Sequence, residues 1–173
     1  MKTRAAILPK PEAPLVLDDV EVADPKQGEV LVRMVASGLC HTDLSAMSGK
    51  LPVPFPIILG HEGAGIVEAV GPGVTKLAKG DHVVTSAVCH CGRCRSCLSG
   101  RPFFCENGLA LTFGGCMPDG TKRFRRGGEE VAHFFLQSSF AEMAVVPEQI
   151  AVKVPSELPL DFSGEFPQGG TYE

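Results

Sequence analysis

The sequence predicts a small, mainly β domain of short antiparallel strands, with a cysteine-rich excursion inserted between two of them. Two observations indicate this class. Glycine and proline supply 20 and 14 of the 173 residues, which is too many breakers for a helical bundle and suits strands joined by tight turns. Apolar and polar residues also alternate along several segments, and that two-residue period is typical of half-buried strands.

The elements follow one another along the chain with clear turn signals between them. The predicted strands are residues 3–8, 15–22, 29–36, 63–70, 80–88, 139–146 and 149–154. A short helix is predicted over residues 41–48 and ends at Gly49. Residues 89–128 are rich in cysteine, glycine and arginine, and we expect them to be irregular.

The domain is expected to extend over residues 1–160. From Pro155 onward the alternation fades, and the end of the chain, FSGEFPQGGTYE, has no periodicity. Residues 161–173 are therefore predicted to form an irregular tail.

Composition excludes several classes of function. The net charge of -4, a single tyrosine and the lack of tryptophan are unlike a nucleic-acid binder. The basic run at residues 122–126 is interpreted as a solvated surface loop. No apolar run approaches the length of a membrane span or a signal-peptide core. We expect a soluble, cytoplasmic protein with no membrane partner, in which seven cysteines are not explained by disulfides.

Four cysteines have the spacing of a metal site. Cys91, Cys94 and Cys97 are separated by two-residue gaps, and Cys105 follows after seven residues. Such gaps let successive thiolates converge on one ion, and four thiolates close a tetrahedral shell around Zn²⁺. The sequence therefore predicts a structural zinc lobe over residues 89–106.

Other interpretations of this cluster stay open. The first three cysteines also resemble the start of a ferredoxin iron–sulfur motif, although the following gap and Glu106 depart from it. Four reduced thiols in a loop are a further alternative. Cys89 and His90 are alternative ligands, but Cys89 is expected to be a buried cysteine at a strand end.

A second set of metal-ligating residues lies earlier in the chain, in the motifs Cys40-His41-Thr42-Asp43 and His61-Glu62. Taken separately, a cysteine after a strand usually packs in a core, and a lone histidine is usually structural. Together, and followed by the four-cysteine lobe, these motifs resemble the zinc-dependent alcohol dehydrogenases of the medium-chain dehydrogenase/reductase superfamily. The resemblance covers about residues 1–160, and the segment 116–146 is similar to the class I and class III branch of the family. It implies a GroES-like, partly open β-barrel.

The resemblance also implies roles for individual residues. Cys40 and His61 correspond to ligands of the catalytic zinc, and Glu62 to the acidic neighbour that can enter the metal shell. Asp43 corresponds to the carboxylate that orients the ligand histidine.

The proton and cofactor contacts follow in the same way. Thr42 corresponds to the hydroxyl that accepts the proton of the zinc-bound alcohol, and His41 to the basic residue that contacts the cofactor pyrophosphate. Two positions depart from the family pattern. Ser45 stands where many members have a relay histidine, so the relay has to end through water or the cofactor ribose. Ala87 replaces a bulky pocket residue, which predicts a longer or aromatic alcohol as substrate.

Two parts of the family pattern are missing from this sequence. There is no cysteine after Cys116 to act as the third zinc ligand, and no Gly-x-Gly ends in the Rossmann fingerprint. We therefore expect the N-terminal part of a catalytic domain, without the Rossmann domain and inactive alone. The full-length form is expected to use NAD or NADP on an alcohol or aldehyde, and to be a homodimer or homotetramer. The alternative is a non-catalytic zinc-binding module that acts by interaction.

Overall fold

The computed structural model describes residues 1–163 and confirms a mainly β architecture. Within residues 1–163, ten strands form two five-stranded sheets. They are β1 (Lys2–Leu8), β2 (Val16–Val22), β3 (Glu29–Ser37), β4 (Ile57–Ile58), β5 (Gly63–Val70), β6 (His82–Thr85), β7 (Phe124–Arg126), β8 (Glu129–Val131), β9 (Met143–Pro147) and β10 (Ala151–Val154).

All strand pairs within the two sheets are antiparallel. One sheet has the order β4-β1-β2-β7-β8, and the other has the order β10-β6-β5-β3-β9. A bridge between Ala5 and Ala141 joins β1 to the segment that leads into β9. The two sheets thus curve around a shared interior, which is the partly open, GroES-like barrel that the resemblance implies.

The helices are short and lie in the connections between strands. They are α1 (His41–Met47), α2 (Arg95–Leu98), α3 (Gly108–Phe113) and α4 (Leu160–Ser163), with single 3-10 turns at Pro102–Phe104 and Glu148–Ile150. Among the described residues, no helix has the length and apolar character that crossing a membrane requires.

Two apolar clusters fill the interior. The larger cluster lies between the sheets and takes its side chains from most strands, including the fully buried Val30, Val32 and Val145. The smaller cluster packs beneath α1 and includes Ala46, Leu59 and Phe134. Burial of such side chains stabilises each by about 1.5–3 kcal/mol relative to exposure. The smaller cluster fixes α1 against the chain around residue 60, which is where the candidate site lies.

The structure corrects several predicted boundaries. The strand predicted over 80–88 is confined to β6, and the strand predicted over 139–146 begins only at Met143. The region 89–128 is not wholly irregular, because it contains α2, α3 and β7. The sequence also missed β4 and β8, whose two and three residues are too short to show a period. The predicted irregular tail begins inside α4, and its remaining residues, 164–173, lie outside the described part of the chain.

Candidate active site and metal centres

The start of α1 builds the first part of the candidate site. Cys40 is the N-cap of this helix, and its Sγ accepts a hydrogen bond from the Thr42 backbone N–H at 3.5 Å. The Asp43 carboxylate reaches back and accepts from the Cys40 N–H at 3.1 Å. This reciprocal arrangement satisfies two N–H groups that the helix start would leave free. It also fixes the Cys40 thiol at the N-terminus of α1.

Asp43 connects this helix to the segment that carries the histidine. Its side chain is fully buried, and its second oxygen accepts from the Gly60 N–H at 3.0 Å. The same oxygen lies 3.4 Å from Nδ1 of His61, without the geometry of a hydrogen bond. His61 is itself buried, and Nδ1 has no hydrogen-bond partner. An imidazole that binds a metal through one nitrogen typically donates the other N–H to such a carboxylate, so this donor set fits a metal-binding role.

The structure brings Cys40, His61 and Glu62 together. Their ligand atoms all lie within 4.8 Å of one another, and His61 Nε2 is 4.0 Å from Glu62 Oε1. A thiolate, an imidazole and a carboxylate are the ligand types that zinc takes in proteins. Cys40 lies 21 residues before His61 and its neighbour Glu62, so the fold brings the thiol to the imidazole and the carboxylate.

Two glycines allow the chain to approach this closely. Gly38 has no side chain, and a Cβ there would lie 2.0 Å from Glu62 Oε2. Gly60 has φ of +89°, and a Cβ there would lie 2.7 Å from the backbone nitrogen of Phe140. A larger residue at either position would displace the carboxylate or the His61 segment.

Two phenylalanines, not identified from sequence as part of the site, hold the His61 ring. Phe135 stacks on it with a centroid distance of 4.5 Å, and Phe134 meets it edge-on at 5.5 Å. They lie more than 70 residues from His61 in the chain, so no local pattern connects them to it. Their apolar rings also shield one side of the imidazole from water.

The remaining predicted site residues lie on the first turn of α1. Thr42 Oγ1 is 3.4 Å from Cys40 Sγ, which places the hydroxyl beside the metal-ligand cluster. His41 is exposed, and its Nδ1 is 3.4 Å from Ser45 Oγ. The chain therefore presents one hydroxyl close to the cluster and one imidazole toward solvent.

The four-cysteine cluster forms as the spacing predicts. All four Sγ atoms lie within 4.8 Å of one another, and those of Cys94 and Cys97 are 3.4 Å apart. The Cys91 N–H donates to Cys105 Sγ at 3.3 Å, and the Asn107 amide donates to Cys91 Sγ at 3.6 Å. Such N–H contacts stabilise thiolates, and four converging thiolates fit a closed structural zinc site.

The thiols of this region differ sharply in acidity. The backbone N–H of Arg93 is the main cause that lowers the pKa of Cys91 to about 6. Partial burial raises the pKa of Cys97 to about 11 in the metal-free lobe. Burial raises the pKa of Cys89 to about 12, and its Sγ lies 3.3 Å from the Phe135 carbonyl. Cys89 is therefore the buried cysteine that the sequence predicts, and it stands outside the four-cysteine cluster.

The basic run at 122–126 is not simply a solvated loop. Arg123 is buried and donates to both oxygens of Glu29, at 2.9 and 2.6 Å. It also pairs with Asp119 at 3.0 Å. Burial alone would raise the pKa of Asp119, but hydrogen bonds from Lys26, Thr121 and Arg123 lower it well below its usual range. This ionic cluster fastens the chain before β7 to the start of β3.

Comparison with known proteins gives one consistent family. The profile described as alcohol dehydrogenase GroES-like domain matches residues 26–156. Over 161 residues the chain is 45% identical to the NDMA-dependent alcohol dehydrogenase of Amycolatopsis methanolica, covering 93% of this chain and 43% of that protein. The chain thus spans less than half the length of the curated relatives it matches.

Solved structures agree with the sequence comparison. An alcohol dehydrogenase zinc-binding domain protein from Burkholderia ambifaria superposes with a TM-score of 0.91 at 47% identity, covering 95% of this chain and 45% of that one. A benzyl alcohol dehydrogenase from Acinetobacter calcoaceticus superposes with a TM-score of 0.90 at 40% identity, covering 96% and 45%. Both similarities extend over nearly all of the present chain.

Proposed function

Because this chain belongs to the alcohol dehydrogenase GroES-like domain family, we propose that it carries the metal-binding and proton-accepting part of a zinc-dependent alcohol dehydrogenase. The proposed reaction is the reversible oxidation of a primary or secondary alcohol to an aldehyde or ketone, with hydride transfer to NAD or NADP. One observation supports it most. The ligand atoms of Cys40, His61 and Glu62 converge within 4.8 Å beside the hydroxyl of Thr42.

In the proposed site Cys40 and His61 bind the zinc, and Glu62 stands beside it as an acidic neighbour. Bound zinc would act as a Lewis acid that lowers the pKa of an alcohol, and a nicotinamide would accept the hydride. Asp43 holds the Cys40 and Gly60 N–H groups and faces His61 Nδ1, so it fixes both ligands relative to each other.

Proton transfer is assigned to the first turn of α1. The Thr42 hydroxyl accepts the alcohol proton in this proposal, because it lies beside the cluster, 3.4 Å from Cys40 Sγ. His41 is exposed and is proposed to contact the cofactor pyrophosphate through its ring. Ser45 lies against His41 and supplies no imidazole, so the proton leaves through water or the cofactor ribose.

The four-cysteine lobe is proposed to hold a second, structural zinc. Cys91, Cys94, Cys97 and Cys105 leave no open coordination position when all four bind one ion. Arg93, Arg95 and Arg101 lie in the same lobe and would offset the charge of four thiolates.

The proposal is tested by alcohol-dependent reduction of NAD and NADP, measured on the full-length product of the gene. We expect Thr42→Val to abolish turnover while retaining zinc, because only the hydroxyl is removed. Thr42→Ser retains the hydroxyl and should keep most of the activity. Equal activity of the two variants would remove Thr42 from the reaction.

The chain of 173 residues is expected to show negligible turnover alone, because its described residues offer two zinc ligands and the neighbouring Glu62, and the sequence has no dinucleotide fingerprint. Measurable NADH formation by this chain would contradict that expectation. The alternative role is a non-catalytic zinc-binding module. It would be favoured if the full-length product bound zinc only at the four-cysteine lobe and turned over no alcohol.

A further inference from the structure

The segment that carries Phe135 has an unusual backbone. Phe135, Leu136 and Ser138 have φ values of +52°, +59° and +55°. These residues lie in the left-handed region, which side chains other than glycine rarely adopt. Such a conformation persists only where surrounding contacts enforce it. Since the Phe135 ring stacks on His61, whatever enforces this backbone also places the ring against the proposed metal ligand.

Gln137 supplies part of that enforcement, together with hydrogen bonds from the Phe135 N–H to the Thr112 carbonyl and from the Ser138 N–H to the Phe134 carbonyl. Its side chain is fully buried, and its Nε2 donates to the Ser86 carbonyl at 2.9 Å. Its Oε1 accepts a hydrogen bond from the Thr85 hydroxyl. Both partners lie at the end of β6 and just beyond it, where Thr85 pairs with Ala151 of β10. The amide thus ties the strained segment to the sheet through two hydrogen bonds.

The Thr85 hydroxyl also contacts the backbone that follows His61. It accepts from the Gly63 N–H at 3.0 Å and lies 3.0 Å from the Gly63 carbonyl, two residues after His61. Thr85 is fully buried, so these groups have no water to replace the hydroxyl. One hydroxyl therefore connects the backbone that follows His61 to the amide that holds the Phe135 segment.

We infer that Gln137 and Thr85 are positioning residues that fix the His61 ring for metal binding, by holding Phe135 stacked against it. The inference rests on the proposed role of His61 as a zinc ligand. Loss of either side chain frees the left-handed segment to relax, and Phe135 then leaves the imidazole. A ring that can turn about its side-chain bonds presents Nε2 to a metal for a smaller fraction of the time.

The stacked ring gives a direct readout that needs neither metal nor activity. The ring current of Phe135 shifts the His61 ring protons upfield in NMR spectra of the metal-free chain. We expect Gln137→Met and Thr85→Val to move these resonances back downfield, although both changes keep side-chain volume. Gln137→Met removes the whole clasp, meaning the hydrogen bonds that join Gln137 to Thr85 and to Ser86, and Thr85→Val removes the first of them. Thr85→Ser retains the hydroxyl and should leave them in place. Gln149→Met is the matched control, because it removes an equivalent amide donor, to the His90 carbonyl, away from this segment.

Metal affinity supplies the second readout, by titration of each variant with Co²⁺ after the four-cysteine lobe has been filled with Zn²⁺. We expect Gln137→Met and Thr85→Val to weaken Co²⁺ binding at Cys40 and His61 by about tenfold, the lower end of the range for residues that orient metal ligands. Thr85→Ser and Gln149→Met should bind Co²⁺ like the unaltered chain.

The outcomes separate this inference from the proposed function. Unchanged His61 resonances in a folded Gln137→Met chain would show that the Gln137 hydrogen bonds do not keep Phe135 stacked on His61. That conclusion would hold whether or not the protein is a dehydrogenase. Shifted resonances with unchanged Co²⁺ affinity would show that these hydrogen bonds hold Phe135 in place but do not affect metal binding, which would overturn the positioning role. If Co²⁺ does not bind at His61 even in the unaltered chain, the positioning role fails together with the proposed role of His61 as a metal ligand in this chain. Should the first variants not fold, Gln137→Asn keeps an amide but shortens its reach, and it should give the same downfield shift.

Discussion

Asp43 is the residue through which the two sequence motifs of the candidate site meet. It is fully buried, yet it accepts hydrogen bonds from the N–H groups of Cys40 and Gly60 and faces His61. A buried carboxylate is costly unless such donors surround it. The sequence motif indicated Asp43 as a partner of the histidine, whereas the contact with Gly60 required the fold.

We expect Asp43→Asn to weaken metal binding at Cys40 and His61 by 10- to 100-fold, the usual cost of removing a partner of a metal-binding histidine. It should also lower the free energy of unfolding by about 1–3 kcal/mol, because one buried N–H loses its acceptor. Competition with a chromophoric chelator and urea unfolding measure the two effects. The exposed Asp19→Asn variant is the control, and equal values for both variants would contradict the assignment.

His133 is a buried histidine outside the candidate site whose charge state matters for stability. Burial lowers its pKa to about 3, and the cations of Arg123 and Lys122 act in the same direction while Asp119 opposes them. Its Nε2 accepts a hydrogen bond from the backbone N–H of Arg123 at 3.0 Å, and its ring packs against Phe124 with a centroid distance of 5.0 Å. Protonation would turn this acceptor into a donor that faces another donor.

The low pKa of His133 predicts a loss of stability in mild acid. The ordinary histidine pKa is about 6.5, so between about pH 6.5 and 3 the unfolded chain binds one more proton than the folded chain. This stability is fully present above pH 6.5 and falls by about 1.4 kcal/mol per pH unit below it. Urea unfolding at pH 6.5 and 5 should show a smaller decrease for His133→Gln than for the unaltered chain. His90→Gln, a change in the four-cysteine lobe, should lose as much unfolding free energy between these two pH values as the unaltered chain. An equal loss in all three proteins would count against this account.

The cysteine lobe differs from the two sheets in burying few apolar side chains. Residues 89–106 contain only two short helical turns, and Leu98, Phe103 and Phe104 are exposed. With so little apolar burial, the conformation of the lobe rests on the convergence of its four cysteines and on the hydrogen bonds that their sulfur atoms accept. The spacing of the cysteines predicted this lobe because the gaps themselves are the constraint.

Removal of metal should make the lobe thiols unequal toward iodoacetamide. With a chelator at pH 7.5, we expect Cys91 to react fast, because its pKa of about 6 makes it mostly thiolate. Cys89, with a pKa of about 12 in a buried position, should be the slowest. Peptide mass spectrometry follows the order, and saturating Zn²⁺ should protect Cys91. Modification of Cys89 as fast as Cys91 would show that the lobe unfolds without metal.

Across the whole molecule, the sequence was most informative for the parts whose structure is determined by the spacing of nearby residues. Alternation located most of the longer strands, and fixed gaps located the cysteine lobe. It failed where contacts join distant segments. Nothing local indicates that Phe135 covers His61, that Gln137 ties this segment to β6, or that Arg123 is buried against Glu29. Burial of that arginine depends on a partner 94 residues away.

Elemental analysis of zinc per chain tests the proposal that this chain holds two zinc ions, one at Cys40 and His61 and one at the four-cysteine lobe. We predict about two zinc ions for the unaltered chain. Cys105→Ser should reduce this to about one by opening the four-thiolate shell, and His61→Ala should also leave about one. The unaltered chain holding a single zinc, unaffected by His61→Ala and lost in Cys105→Ser, would contradict the claim. The cluster of Cys40, His61 and Glu62 would then not be a metal site in this chain.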